Sequence, residues 1–272
     1  MHFGATLRLL RIESGLSLRD LARRLGVSSA YLSRVENGVD AVPTSERLEV
    51  LARELGLPAT LLMELAHRVS PLVVDYVERV PDAGALFLEI AHRRLNGKEI
   101  ARLRALLDQH FPQRMERGGA LRSNLAELLS PERIVVRLSG SELEDALDVA
   151  AGRLAAAVPG TTAAALASVL KNGESEVSSA IGSGVAVPRA YVAGAGSTAA
   201  LVTLARPLRY DTPDGKPLRV VIALAGTRTT GDLAHRLAHI ARLAVRGLAD
   251  QLATASSASQ ILSRLASLEG PR

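Results

Sequence analysis

Two short amphipathic helices separated by a three-residue turn are predicted between Ser17 and Gly38. Apolar residues recur there at helical spacing, and the run Gly-Val-Ser from Gly26 interrupts them after about eight residues. Ser17 stands where the N-cap of the first helix belongs, and Ser28 or Ser29 can cap the second. Gly38 is a suitable terminator, because glycine readily adopts the left-handed conformation that ends many helices. This spacing is typical of a helix-turn-helix.

The segment from Leu16 to Gly38, LSLRDLARRLGVSSAYLSRVENG, resembles the repressor-type helix-turn-helix family of the phage repressors and Cro. Residues 48–56 and 58–65 resemble the fourth and fifth helices of that family. The resemblance covers residues 3–66 and implies an all-α, lambda-repressor-like bundle that binds double-stranded DNA. One position departs from the family pattern, since Leu18 stands where many members have a glutamine.

In such a domain the second helix of the pair enters the major groove by its N-terminal end. The candidate DNA-binding residues are Arg11, Arg19, Ser28, Ser29, Ala30, Ser33, Arg34 and Asn37. Arg34 can pair bidentately with guanine, while Arg11, Arg19 and Asn37 are candidates for phosphate contacts. The net charge of +5 permits a nucleic-acid partner without establishing one. A helical hairpin used for protein contacts is the alternative, but the many matching positions favour DNA.

Residues 67–125 are predicted to form a helical connector that carries no chemistry. Apolar residues spaced by three or four mark helices at 71–80, 83–95 and 98–111. An amphipathic stripe normally packs against another surface, either the N-terminal bundle or a second subunit. We expect a homodimer formed through this connector, which would also place two DNA-reading helices on two half-sites.

The pattern changes after residue 130, where β-branched strands begin to alternate with helices. Strands are predicted at 134–136, 185–187, 199–204 and 218–224. Helices are predicted at 141–157, 161–170, 231–250 and 257–268. Strands interleaved with helices predict an α/β sandwich. The chain is therefore expected to be a multidomain α plus α/β protein, divided into residues 1–66, 67–125 and 126–272.

Residues 181–189, IGSGVAVPR, resemble the active-site segment of the sugar phosphotransferase EIIA type-2 domains of the mannitol and fructose kind. Residues 129–134, 210–217 and 239–244 resemble the first strand, the Asp-rich hairpin and the penultimate helix of that family. Together these segments span nearly the whole of residues 126–272. In the family, a neutral histidine accepts phosphate from a phosphocarrier protein and passes it to a transporter domain.

The resemblance fails at the phosphate acceptor, because Arg189 stands where the family has its histidine. A guanidinium stays protonated at physiological pH and offers no lone pair to phosphorus. His239 matches the family's second histidine best, and His235 is a competing alignment. We therefore expect a domain without enzymatic activity, whose degenerate phosphorylation-site pocket contains Gly182, Gly184, Arg189 and His239.

Two roles for this altered pocket remain open from sequence alone. The glycines allow close backbone approach, so Arg189 could bind an anionic metabolite or dock a phosphotransferase-system protein. Alternatively, Arg189 is a tolerated surface residue. His235 and His239 have the spacing of a metal pair, but no third ligand accompanies them, and no metal or cofactor is expected.

Composition excludes several other classes. The chain has no cysteine, so disulfides and thiolate zinc sites are excluded. No apolar run approaches the roughly 20 residues of a membrane span, and no signal pattern is present, so a cytoplasmic protein is expected. Three hypotheses follow: a transcriptional regulator with a catalytically silent EIIA-like sensory domain, a phosphotransfer component that uses His239 or His235, and a scaffold for phosphotransferase partners.

Overall fold

The protein is described by a computed structural model, in which residues 3–67, 69, 71–111, 124–227 and 232–269 are defined. The chain divides into two compact units. The first combines Met1–Arg68 with Ser123–Arg272, and the second is Val69–Arg122. The helix-turn-helix region and the α/β region therefore belong to one compact unit, and the connector helices form the other.

Five helices make up the N-terminal part of the first unit. They are α1 Phe3–Glu13, α2 Leu18–Arg24, α3 Ser29–Glu36, α4 Ser45–Leu55 and α5 Ala59–Leu65. Ser17 and Ser28 cap α2 and α3, each accepting a hydrogen bond from the backbone N–H three residues later. Gly26 and Gly38 adopt φ angles of 65° and 71°, which allow sharp turns after the two helices. The predicted helix-turn-helix spacing is confirmed.

The second unit contains three helices, α6 Pro71–Arg79, α7 Pro81–His92 and α8 Gly97–His110. None of the side chains that the structure describes between residues 69 and 111 is buried. The large apolar side chains more than half exposed in α7, in α8 and just after α8 are Leu86, Phe87, Leu88, Leu106, Leu107 and Phe111. The apolar stripes predicted from sequence are therefore uncovered within this unit.

The C-terminal part of the first unit combines helices with one sheet. Its helices are α9 Leu125–Leu128, α10 Leu143–Ala155, α11 Ala163–Glu176, α12 Asp232–Val245, α13 Leu248–Ala253 and α14 Ala258–Glu269. Its strands are β1 Ile134–Leu138, β2 Ala180–Gly182, β3 Val185–Ala186, β4 Arg189–Tyr191, β5 Thr198–Leu208 and β6 Leu218–Gly226. A 3₁₀ turn, Pro131–Arg133, precedes β1.

The described strands form one mixed sheet in the order β1–β5–β6–β3–β2, with β4 also paired to β6. The long strands β5 and β6 are antiparallel, whereas β1 is parallel to β5. The short strands β3 and β4 follow one another along β6, both parallel to it. Val185 is level with Val220, and Arg189 is level with Leu224. β4 therefore lies further along β6 than the β2–β3 turn does.

Side chains of the sheet alternate between two hydrophobic cores, as the two-residue period of a strand requires. In β5, Ala200 and Val202 pack with α10 and α11 on one face of the sheet. On the other face, Ala199 and Leu201 belong to a core that includes α12, α13 and α14. That second core continues into the buried side chains of α1 to α5, among them Leu7. The expected α/β sandwich is confirmed, and the N-terminal helices share its core.

Two predicted helices differ most from the structure. The single helix predicted at 231–250 is divided into α12 and α13, because Gly247 adopts a φ of 87°. The helix predicted at 161–170 extends to Glu176. Within the described residues, no helix combines the length and the apolar character that a membrane crossing requires.

Leu237 tests whether the shared core unfolds as one unit. It is fully buried in α12, a helix that packs against both α1 and α5. Leu237→Ala is expected to lower the free energy of unfolding by about 2–5 kcal/mol because it leaves a cavity. Hydrogen exchange measured by mass spectrometry in rising denaturant should show α1 and β6 losing protection together. Protection lost from α1 at clearly lower denaturant than from β6 would contradict a shared core, and Val169→Ala, at an exposed position, is the control.

Candidate functional site

The N-terminal end of α3 is open to solvent, as DNA reading requires. Of the candidate residues on or beside α3, Ser28, Ala30, Arg34 and Asn37 are exposed, and Ser29 and Ser33 are half-buried. Arg19 is exposed near the start of α2. The structure therefore brings seven of the eight candidates to the surface of the helix-turn-helix.

The opposite face of α3 anchors the helix. Leu32 and Val35 are buried in the core, so α3 can present only its remaining faces to a partner. The Arg34 guanidinium lies 3.0 Å from an Asp40 carboxylate oxygen, and this hydrogen bond raises the pKa of Arg34. Asn37 Nδ2 donates to Ser33 Oγ at 3.3 Å. Only Nε of Arg34 bonds to Asp40, and the side chain is 51% exposed.

Arg11 lies apart from this surface, and the expectation that it contacts phosphate is corrected. Its Nε and Nη2 donate to the two carboxylate oxygens of Glu36 at 2.6 and 2.9 Å. Nη1 donates to the backbone carbonyl of Leu16 at 3.0 Å. The Arg11 and Glu36 side chains are only 10% and 4% exposed. Because this guanidinium is buried and already paired bidentately, its role is structural: Arg11 joins α1 to the end of α3.

Arg47 is a surface cation beside α3 that the sequence pattern did not single out. Its guanidinium carbon lies 5.6 Å from the centre of the Tyr31 ring, a cation–π arrangement. Arg47 is exposed in the first turn of α4. Its proximity to α3 depends on how α4 packs, which spacing along the chain does not reveal.

Arg189 points toward the N-terminal helices rather than into solvent. It opens β4, and its Nε lies 3.1 Å from an Oε1 of Glu13, the last residue of α1. Tyr191 donates its phenolic O–H to the same oxygen at 2.6 Å. The Arg189 and Glu13 side chains are 9% and 2% exposed. Arg189 is therefore covered by α1, and the alternative in which it is a tolerated surface residue is wrong.

A cavity of about 350 Å³ adjoins this ion pair and is lined by Arg189, Tyr191, Ser179 and Ile12. Neither Arg189 Nη1 nor Ser179 Oγ has a hydrogen-bond partner in the part of the chain that the structure describes, and both atoms are buried. The carboxylate of Glu174, which also lines the cavity, is already engaged: it accepts hydrogen bonds from the Ser179 backbone N–H and from the Tyr210 hydroxyl. Ordered polar groups thus surround an incompletely satisfied guanidinium.

Tyr210, two residues after β5, is linked through Glu174 of α11 to Ser179, just before β2. Its hydroxyl donates to Glu174 at 2.7 Å, while both oxygens of that carboxylate accept from the Ser179 N–H at 3.0 and 3.1 Å. Burial, followed by the hydrogen bond to Glu174, raises the pKa of Tyr210 to about 12. This network fixes the segment before β2, and no motif in the sequence identified it.

Gly182 and Gly184 lie in the tight β2–β3 turn, away from Arg189. Both have positive φ angles, and the Ser183 N–H between them donates to Asp214 at 2.7 Å. Gly184 lines a different cavity of about 370 Å³, together with Lys216. Five residue-to-residue steps of nearly extended chain, about 16 Å, lead from Gly184 to Arg189. The expectation that these glycines form one pocket with Arg189 is corrected, because β3 carries them apart.

His239 is held in a third place, within α12. Its Nε2 lies 2.8 Å from Glu269 Oε1, and its Nδ1 lies 2.9 Å from Arg242 Nη2. Because arginine can only donate, Nδ1 accepts and Nε2 donates to the carboxylate. The ring is only 10% exposed. His239 does not line the Arg189 cavity, and His235 is half-buried with an interaction partner of its own.

Two family models match the chain. Residues 2–65 match a helix-turn-helix domain, and residues 127–267 match the family described as phosphoenolpyruvate-dependent sugar phosphotransferase system, EIIA 2. Both family resemblances predicted from the sequence are thereby confirmed.

One curated relative matches part of the chain. The HTH-type transcriptional repressor RghR of Bacillus subtilis (strain 168) is 40% identical over 83 residues, which are 30% of this chain and 56% of that protein. The chain thus matches only about half the length of this curated relative.

Two solved structures resemble the C-terminal part. Nitrogen regulatory protein IIA-Ntr from Neisseria meningitidis has a TM-score of 0.46 and 24% identity over 52% of this chain and 99% of its own. The mannitol-specific cryptic phosphotransferase enzyme IIA CmtB from Escherichia coli has a TM-score of 0.40 and 21% identity, also over 52% and 99%. Since both TM-scores lie below 0.5, nothing about function follows from them.

Proposed function

We propose a function from the premise that the chain belongs to the EIIA 2 family of the phosphoenolpyruvate-dependent sugar phosphotransferase system and begins with a helix-turn-helix domain. In this proposal the protein is a sequence-specific, DNA-binding transcriptional regulator whose EIIA-like domain transfers no phosphate. The observation that carries this proposal is the solvent-open N-terminal end of α3 within a matched helix-turn-helix. The identity to a protein named a transcriptional repressor supports it.

The proposed DNA contacts follow from exposure and chemistry. Ser28, Ser29, Ala30 and Ser33 lie on α3 or at its N-cap, where a recognition helix meets base edges. Arg34 is proposed to contact a base with the guanidinium nitrogens other than Nε, which is bonded to Asp40. Arg19 and Asn37 are proposed to contact phosphates, and the newly identified Arg47 joins them as an exposed cation beside α3. A cytoplasmic location is part of this proposal, since the protein would meet its DNA partner there.

The connector is proposed to join two copies of the chain. We propose that the chain is organised as three regions, residues 1–66, 67–125 and 126–272, of which the middle one forms the dimer. A helical unit of this size with no buried side chain among those described cannot be stable through its own core. We propose that a second copy of the chain covers the exposed apolar faces of the connector, because helix-turn-helix proteins read two half-sites as dimers. Glu89 of α7 also pairs with Arg93 just after the helix, so identical faces need not repel.

Phosphotransfer is proposed to be absent for two separate reasons. Arg189 has no lone pair to offer, and Glu13 and Tyr191 cover it. The alternative acceptor His239 has both ring nitrogens engaged and is nearly buried. An input to the EIIA-like domain would then be a bound anionic metabolite or a phosphotransferase-system protein, without covalent phosphate and without a cofactor.

Operator binding is tested with DNA recovered by selection from random sequences. Ser33→Ala should weaken operator binding by about 0.5–1.5 kcal/mol, as expected when one hydrogen bond is lost. Arg19→Ala should weaken operator and scrambled DNA alike and reduce the salt slope by about 0.9, the effect of one phosphate contact. Fluorescence anisotropy across a salt series measures both quantities. Arg206→Ala, an exposed arginine in β5, should change neither.

Arg11 provides an internal contrast for that experiment. Arg11→Met should lower stability in urea unfolding by about 3–5 kcal/mol because it leaves Glu36 buried and unpaired. Arg19→Ala should leave stability almost unchanged. Equal affinity of the wild-type chain for operator and scrambled DNA at matched salt would rule out the proposed function.

The dimer is tested by placing a charge in the apolar face of the connector. Phe87→Glu should convert a wild-type dimer into a monomer in analytical ultracentrifugation, because Phe87 is 52% exposed within one chain. Ala164→Glu, at an exposed position of α11, should leave the dimer intact. A monomeric wild-type chain at micromolar concentration, or a Phe87→Glu dimer of unchanged stability, would argue against the connector interface.

Catalytic silence is tested with radiolabelled phosphoenolpyruvate and the general phosphocarrier proteins. We expect no acid-labile phosphate on this chain under conditions that label a histidine-containing EIIA domain fully. Labelling that disappears in His239→Gln or His235→Gln would instead establish phosphotransfer through that histidine. This result would exclude the silent domain while leaving DNA binding intact.

A further inference from the structure

Helix α1 carries two buried ion pairs that hold it from two sides. Arg11 pairs with Glu36, the last residue of α3, and Glu13 pairs with Arg189, the first residue of β4. Residues two apart on a helix point about 200° away from each other, since each residue turns the helix by about 100°. α1 therefore lies between the DNA-reading helix and the altered phosphorylation segment, with a buried charge directed at each.

We propose that Arg189 and Tyr191 are positioning residues for DNA recognition, acting on α3 through Glu13, α1 and the Arg11–Glu36 pair. This proposal rests on the proposed function, because it assigns the EIIA-like domain a mechanical connection to the helix that reads DNA. Neither Arg189 nor Tyr191 touches DNA in this account. Their effect travels through one helix and two ion pairs.

The contact between α1 and α3 leaves little slack. A Cβ added at Gly4 of α1 would overlap the Val35 carbonyl oxygen and lie 2.6 Å from that of Glu36. The two helices therefore meet backbone to backbone at the C-terminal end of α3, in addition to the Arg11–Glu36 pair. Because packed interiors do not compress, a displacement of α1 must displace this end of α3.

The contact between α1 and β4 is less complete, and it is therefore the adjustable one. Arg11 uses Nε, Nη1 and Nη2 on partners, whereas Arg189 has one close contact, to Glu13, and its buried Nη1 has no partner in the described structure. The neighbouring cavity is lined by Ile12 of α1 as well as by Arg189. A hydrogen-bond acceptor bound there would engage Arg189 and press directly on α1.

Hydrogen exchange of the chain without DNA tests the connection to α3. Arg189→Met leaves Glu13 buried without its cation, so α1 must shift to hydrate it. The amides of residues 35–37 should then exchange about threefold faster or more, and Arg189→Lys should restore much of the protection. Arg219→Met removes an ion pair with Asp250 outside α1 and should match the wild type.

The pattern of exchange separates the proposal from simple destabilisation. Faster exchange confined to α1 and α3 supports the connection. Unchanged exchange in α3, or an equal increase in β5 and β6, would overturn it. Because this comparison needs no DNA, it decides the connection even if the chain proves to have no operator.

Operator affinity then tests the consequence for DNA reading. Arg189→Met should lower operator affinity by about tenfold, with affinity for scrambled DNA and the salt slope unchanged, because Arg189 contacts no phosphate. Tyr191→Phe should act in the same direction with a smaller effect. An unchanged ratio of operator to scrambled affinity would refute a role in recognition. A wild-type chain that does not discriminate between DNA sequences would refute the proposed function instead.

Discussion

The position of α1 depends on two buried carboxylates, and much of the structure depends on α1. Glu36 receives two hydrogen bonds from Arg11, and Glu13 receives one from Tyr191 beside its ion pair with Arg189. A buried charge is tolerated only where its partner is fixed, so these pairs dictate how α1 sits against α3 and β4. They favour one arrangement of the N-terminal helices on the sheet over others of similar apolar contact.

The hydrophobic core gives that arrangement its free energy. Side chains of α1 to α5 and of α12 to α14 belong to one cluster against one face of the sheet. The helix-turn-helix is therefore built into the EIIA-like fold rather than appended to it. Arg242 of α12 and Arg246, just after that helix, add polar contacts to Glu64 of α5. In this arrangement, a change at β4 has a short physical route to the recognition helix.

The secondary structure and the two family assignments could be predicted from the sequence because they depend on local patterns. Caps at Ser17 and Ser28, the turn at Gly26 and the apolar run of β5 are all readable along the chain. Contacts between distant segments were not readable. Glu13 and Arg189 are 176 positions apart by residue number, and no sequence pattern around either residue predicts their contact. The assembly of one pocket from Gly184, Arg189 and His239 failed for the same reason.

Arg189, in the segment that resembles the family's active site, compensates a buried carboxylate from the helix-turn-helix part. We propose that this chain reads DNA sequence. Genome-wide mapping of the DNA bound by the full chain tests it most directly. We expect a small number of discrete sites that share an inverted repeat. Recovery of DNA evenly across the genome would contradict sequence-specific binding.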